Sequence, residues 1–308
     1  MSNISNSITL VLESLGYSSS AISSVLKTTK SSRPEPTSVY LETRLDGSEV
    51  IDVTTCHHFS QNWSESNLDS DLLDSLSTLP KEYRPTHIWR EYDNAHMQIQ
   101  CPGIHLTPYN DTLDALLALY KLLFNNHESP PLCDLELINS TAKVRHLSKL
   151  VRSEKAHLKM HVKTTTAQLN QILFSLGWPG DYAQLESVLS RLEDLEPAIL
   201  QHCVYVDLAF LGDELSPRLG LYLSNKEYPQ LSNRQMYAAF IELAAKFPHD
   251  ENSHTTFVNL LKDKKNTKFV CDYKIMLDNN LEQKAYFCFQ KDKQAEVAAF
   301  ADLLKSAL

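Results

Sequence analysis

The feature that most constrains this chain is an order of elements. A helical stretch, two short strands close in sequence and another helical stretch recur about five times, although the sequence itself does not repeat. Ile4, Ile8, Val11, Leu12 and Leu15, then Ile22, Val25 and Leu26, have helical spacing on either side of Gly16 and the serines at 18 to 20. Ser38 to Arg44 alternates in period two, turns at Asp46-Gly47 and resumes from Glu49 to Val53, which reads as a hairpin. Leu72, Leu73, Leu76 and Leu79 make a short helix, and a second strand pair is expected at His87 to Tyr92 and Met97 to Cys101. Asn110 is expected to cap a helix burying Leu113, Leu116, Leu117, Tyr120 and Phe124.

In the middle of the chain Leu132 to Ile138 reads as a strand, while Lys143 to Val151 fits a helix or a loop. His157 to Lys163 then alternates strictly, and Leu169, Ile172, Leu173 and Leu176 form a helix stopped by Gly177 and Pro179. Asp181 starts another helix, with Leu185, Val188, Leu189, Leu192 and Leu195 on one side. Cys203 to Leu211 pairs with Arg218 to Ser224 through Gly212-Asp213 and Pro217. Ser232 or Asn233 caps a helix running to Phe247, and Phe257, Leu260 and Leu261 mark a shorter one. A last hairpin joins Lys268 to Met276 with Gln283 to Phe289 around Asp278, Asn279 and Asn280, and a helix with Val297, Phe300, Ala301 and Leu304 closes the chain.

Strands this close in sequence are antiparallel. Five such pairs separated by helices close most simply as a ten-stranded antiparallel barrel with helices outside, which leaves no strand edge exposed. The expected class is therefore α+β, with residues 1–308 forming a single barrel domain and the helices of residues 1–30 outside it.

Composition removes several alternatives. With 308 residues, 43% of them hydrophobic and 22% charged, the chain can bury a sizeable core. A net charge of −9 gives no general attraction to phosphate backbones, so nucleic acid is not an expected partner. Apolar runs such as Leu116 to Leu123 fall far short of a membrane span, and residues 1 to 16 carry no export signal, so the expected compartment is the cytoplasm. Six cysteines, at 56, 101, 133, 203, 271 and 288, include no Cys-x-x-Cys pair, against a disulfide framework or a zinc knuckle. Seven glycines leave no Gly-rich loop for a nucleotide.

Strand geometry sorts the polar residues. His157, Lys159, His161 and Lys163 share one face of their strand, while Leu158, Met160 and Val162 take the other. Arg218 and Tyr222 share a face with Gly220, Lys284 shares one with Tyr286, and Lys274 shares one with Asp272 and Met276. Either these faces look into a common interior, or they are the wet side of an ordinary sheet. Three carboxylates lie on comparable faces: Glu42 beside Tyr40 and Arg44, Glu91 beside His87 and Trp89, and Asp207 beside Tyr205. Asn110-Asp111-Thr112-Leu113-Asp114 is better explained by helix capping than by magnesium chelation. Cys56-His57-His58 would make a zinc fragment only in a loop and with two distant ligands, since adjacent residues on a strand point to opposite faces; no Gly-x-Ser-x-Gly elbow occurs, and Cys271 and Cys288 lie in apolar strands unlike those of a nucleophile.

The element order resembles the αββα barrel of the soluble aromatic and peptide prenyltransferases. The matching segments are His157 to His161, Arg218 to Tyr222, Tyr273-Lys274 and Lys284-Ala285-Tyr286. The resemblance implies a prenyltransferase that moves an allylic group from its diphosphate to an aromatic or peptide acceptor. On it, Lys159, Arg218, Tyr222, Lys274, Lys284 and Tyr286 would hold the diphosphate, and Glu42 or Glu91 would be the catalytic base. It implies no metal ligand in the chain and leaves open a Mg2+ ion accompanying the diphosphate. The alternative is a non-catalytic α+β module that binds a peptide or protein. A lysine crowded among other cations is repelled by them, so replacing Lys159 or Lys284 is expected to leave stability equal or slightly higher.

Overall fold

The computed structural model describes residues 2–32, 35–59, 70–93, 103–124, 132–152, 155–195, 204–212, 214–224, 233–247, 250–263, 269–278 and 281–290. Helices α1 (Ser2–Ser14) and α2 (Ser19–Ser31) precede strands β1 (Ser38–Arg44) and β2 (Ile51–His58). Helix α3 (Ser70–Thr78) and a short 3-10 turn (Lys81–Tyr83) lead to β3 (Pro85–Tyr92) and β4 (Gly103–Pro108). Helices α4 (Leu113–Leu123) and α5 (Leu132–Thr141) precede β5 (Lys143–Arg152) and β6 (Lys155–Thr164). Helices α6 (Thr166–Ser175) and α7 (Tyr182–Leu195) precede β7 (Val204–Leu211) and β8 (Glu214–Ser224). Helices α8 (Asn233–Lys246) and α9 (Glu251–Lys262) precede β9 (Val270–Leu277) and β10 (Glu282–Gln290).

Each strand pairs with its neighbours in sequence, and β1 pairs with β10, so the ten strands form one closed antiparallel barrel. Closure sets Glu42 opposite Tyr286 and Arg44 opposite Lys284. Alternation does the rest. The outward residues Val39, Leu41, Leu158, Met160, Val162, Leu219, Leu221, Tyr273, Ile275 and Phe287 are buried beneath the helices, in one apolar layer wrapped around the barrel. Tyr273 on β9, for example, stacks on Phe240 of α8 at 5.5 Å and on Phe257 of α9 at 6.3 Å between ring centroids. The two N-terminal helices pack on the outer wall through Ile8, Val11, Leu12, Ile22 and Val25. No helix among the described residues is long and apolar enough to cross a membrane.

Several expected elements are corrected. Residues 132 to 138 are helical, because Leu135 and Ile138 are buried three apart on one face, a spacing that a strand would split between faces. Lys143 to Arg152 is a strand. A bulge between Val144 and His146 breaks its alternation, so Val144 and Leu147 both point outward at an interval that mimics a helix. The partner of β3 is Gly103–Pro108, whereas the expected strand Met97 to Cys101 lies outside the described residues. Thr112, not Asn110, caps α4, accepting a hydrogen bond from the Ala115 amide, and Asp111 pairs with Lys143 at 3.0 Å. Pro217 sits within β8 beside a register shift, and Gly212, at φ 66°, makes the tight turn before it. The expected final helix at Val297 to Leu304 and the cap at Ser232 lie outside the described residues.

Candidate functional site

Each of the ten strands sends side chains inward, and these enclose a cavity of about 350 Å³. Three layers follow from the strand register. At the hairpin end, Arg44 Nε lies 2.9 Å from Glu282 Oε1 and its NH2 reaches Asp52 Oδ2 at 3.3 Å, while Arg218 NH2 bonds Glu282 Oε2 at 2.7 Å. Arg218 Nε also lies 3.6 Å from Asp278 Oδ2, and its side chain is 34% exposed, so it stands at the rim; of the expected diphosphate residues Lys159, Tyr222 and Tyr286 line the cavity, and Lys274 and Lys284 lie behind their carboxylate partners.

The middle layer gathers the others. Lys274 Nζ donates to Asp207 Oδ2 and to the Tyr222 hydroxyl, each at 2.8 Å, and Tyr222 in turn donates to Asp207 Oδ2 at 2.9 Å. His161 Nδ1 meets Asp207 Oδ1 at 3.0 Å, and Lys159 Nζ lies 3.6 Å from Asp207 Oδ2 and 3.4 Å from Glu91 Oε2. Four donors from β6, β8 and β9 therefore converge on one carboxylate. Lys274 has room to do so because β8 carries glycine two residues from its partner Tyr222: a Cβ on Gly220 would stand 2.5 Å from Lys274 Cε. Lys284 and Tyr286 both bond Glu42, and the two tyrosine hydroxyls lie 3.4 Å apart. Lys159, Tyr222, Lys274, Lys284 and Tyr286 thus form one connected network with Glu42, Glu91 and Asp207.

Electrostatics follow from this geometry. Burial would raise the pKa of Asp207, but Lys159, Lys274 and His161 outweigh it and hold the group well below the usual carboxylate range. Glu42 has the same balance: burial pushes up, Lys284 and Lys274 pull down, and it settles at about 2. Burial raises the Tyr222 and Tyr286 hydroxyls far above their usual range, helped by Asp207 and Glu42 respectively, so both remain donors at neutral pH.

The bland alternative of a surface pair between Glu42 and Arg44 does not occur, since Glu42 turns inward to Lys284. Nor are the lysines crowded by uncompensated cations. Removing Lys284 strands Glu42, so the expectation of unchanged or higher stability is reversed: Lys284→Ala should cost about 3–5 kcal/mol, read as a fall in the urea midpoint.

The third layer is aromatic. Tyr40, Trp89, His146, His161 and Tyr205 form a ladder across β1, β3, β5, β6 and β7, with successive ring centroids 5.1, 5.3, 5.4 and 5.2 Å apart. Trp89 Nε1 donates to Thr107, whose hydroxyl lies 2.9 Å from His146 Nδ1. Burial, then His161 and His105, keep His146 neutral.

Beside the ladder, Glu91 Oε2 lies 2.8 Å from His105 Nε2, and His105 Nδ1 lies 2.7 Å from the Ser148 hydroxyl. Burial lowers the pKa of His105 despite the opposing pull of Glu91. His105, His146 and Ser148 escaped the sequence reading because β4 and β5 did, yet Ile104-His105-Leu106-Thr107 does alternate in period two.

Among the described residues no group of three or more His, Cys, Asp or Glu is placed to hold a metal, and Cys56 and His57 point to opposite faces of β2. Glu42, Glu91 and Asp207 already accept from lysines, imidazoles and hydroxyls, so these residues do not fit a Mg2+ cage.

A closed barrel of ten antiparallel strands with helices outside and a polar interior is the αββα barrel of the aromatic prenyltransferases, and the chain has that fold. It is similar to 5-dimethylallyltryptophan synthase from Streptomyces coelicolor, at a TM-score of 0.60 and 11% identity over 93% of this chain and 96% of that one. It is also similar to the prenyltransferase PriB, solved with L-tryptophan and dimethylallyl thiolodiphosphate, at a TM-score of 0.60 and 12% identity over 93% of this chain and 95% of that one. NotF, solved with brevianamide F and DMSPP, matches at a TM-score of 0.50 and 12% identity over 92% of each chain. No protein-family model and no curated protein matches the chain by sequence.

Proposed function

We propose that the barrel transfers a prenyl group from an allylic diphosphate to an aromatic acceptor. The observation that carries this reading is the meeting, inside one closed barrel, of a Lys159, Lys274, Tyr222 and Tyr286 donor layer with an aromatic ladder. A diphosphate spreads its charge over many oxygens and needs donors from several directions, which strands on opposite walls supply. Lys159, Lys274 and Tyr222 would exchange Asp207 for the diphosphate, and Lys284 would remain on Glu42. The allylic carbon–oxygen bond then ionises, the electron pair leaves on the diphosphate, and ring faces such as Tyr222 and His161 shield the cation from water. The acceptor carbon forms the new bond, and its proton goes to a carboxylate. Glu91 suits that role, because it lines the cavity beside the ladder and His105 keeps it oriented. Glu42, held at about 2 by its lysines, is too weak a base and anchors Lys284 and Tyr286 instead.

One observation favours a second reading, a lumen that binds a ligand without turning it over: Lys159, Lys274 and Lys284 are each already paired with a carboxylate. Thermal unfolding with dimethylallyl diphosphate separates the two. On the transferase reading a concentration one hundred times the dissociation constant adds about 2.7 kcal/mol, and L-tryptophan supplied with it yields a prenylated product. No protection by the diphosphate would leave the binding module standing. A peptide acceptor in place of a small aromatic one is the remaining form of the proposal, distinguished by which of the two accumulates the added mass.

A further inference from the structure

The cavity wall is unevenly charged. Among the described residues Glu42, Glu91, Asp207 and Asp272 line it against Arg145 and Lys159, and Lys159 already spans Glu91 and Asp207. Three of the four acids are committed to partners. Asp272 is not: it faces the lumen from β9, opposite Tyr286 on β10, and makes no hydrogen bond or ion pair among the described residues. It lies close enough to Tyr40, at the start of the ring ladder, for its charge to help raise that phenol's pKa. A carboxylate at the end of an aromatic wall, flanked by two tyrosines, is a receptor for a cation joined to a flat ring, because charge pairing and the ring faces act on it together.

We infer that the acceptor is an aromatic amine without a free carboxylate, its ring laid along Tyr40 and Trp89 and its ammonium on Asp272. This rests on the prenyl-transfer reading for the word acceptor, but the binding site stands on its own. An α-amino acid is disfavoured, since its carboxylate would enter beside Asp272 and among the other acids, and Arg145 rises from β5, four strands away around the barrel.

Calorimetric titration of the full chain at neutral pH with tryptamine, L-tryptophan and indole-3-propionate provides the test, repeated on Asp272→Asn and Asp272→Glu. Tryptamine should bind at least tenfold more tightly than either carboxylate-bearing indole. Asp272→Asn should erase that ratio and Asp272→Glu should keep it, with all three proteins melting alike because Asp272 holds no partner among the described residues. Equal or tighter binding of indole-3-propionate, a ratio that survives Asp272→Asn, or no binding of tryptamine would each overturn the inference. Protection by dimethylallyl diphosphate is scored separately, so a failure on the amine side is not confused with a failure of the donor site.

Discussion

Replacing Asp207 with Asn should lower folding stability by about 3–5 kcal/mol and at the same time tighten the binding of dimethylallyl diphosphate at least about tenfold. Both effects have one cause. Asp207 is the anion on which Lys274, Tyr222 and His161 converge, with Lys159 close by. Without its charge the buried ammonium groups lack a counterion, and burial already depresses the pKa of Lys274. A diphosphate restores the missing charge, and it no longer competes with a carboxylate for the same donors. Urea unfolding of both proteins, with and without the diphosphate, should show a variant that is weaker alone and gains more from the ligand. The pH dependence follows in sign. The folded pKa of Asp207 lies well below its ordinary value, so its contribution is present above that value and is lost as pH falls through the folded pKa. Wild-type stability should therefore fall with acid more steeply than that of the Asn variant. Unchanged diphosphate affinity in the variant would mean that the ligand does not use the Asp207 cradle.

Where alternation is unbroken the sequence carries most of this. His157 to Lys163 separates a polar face from an apolar one, though not what the polar face looks into, and Lys159, Tyr222, Lys274, Lys284 and Tyr286 all belong to one network. Where a single extra residue enters, the signal inverts. The bulge at Val144 and His146 puts apolar residues three apart, which hides β5 and with it His146, Ser148 and the Ser148 partner His105 on β4. Pairing choice is the other gap. Same-face spacing places Lys159 beside its neighbours on β6, but only closure of the barrel reveals that the carboxylates arrive from facing strands and neutralise the lysines. A lumen that reads as cationic on one strand at a time is charge-compensated once all ten are joined.

That compensation is what makes Glu91→Gln the sharpest test of the chemistry. If Glu91 takes the proton from the acceptor, the substitution should lower kcat by about 10²–10⁴-fold while leaving dimethylallyl diphosphate bound as well as before or better, since one negative charge is removed beside Lys159. Glu42→Gln should behave differently. Glu42 is held at about 2 between Lys284 and Lys274, so it has little basicity to lose, and the damage should fall on stability and on the position of Tyr286. His105→Gln distinguishes orientation from proton transfer. It keeps an amide N–H to offer Glu91 but loses the link to Ser148, and should cost less than Glu91→Gln. Initial rates with dimethylallyl diphosphate and an aromatic acceptor, taken across pH for wild type and the three variants, give the order. A larger loss of kcat in Glu42→Gln than in Glu91→Gln would reverse the two roles and move the reacting carbon to the Tyr286 side of the lumen, where Lys284, not His105, would face the departing proton.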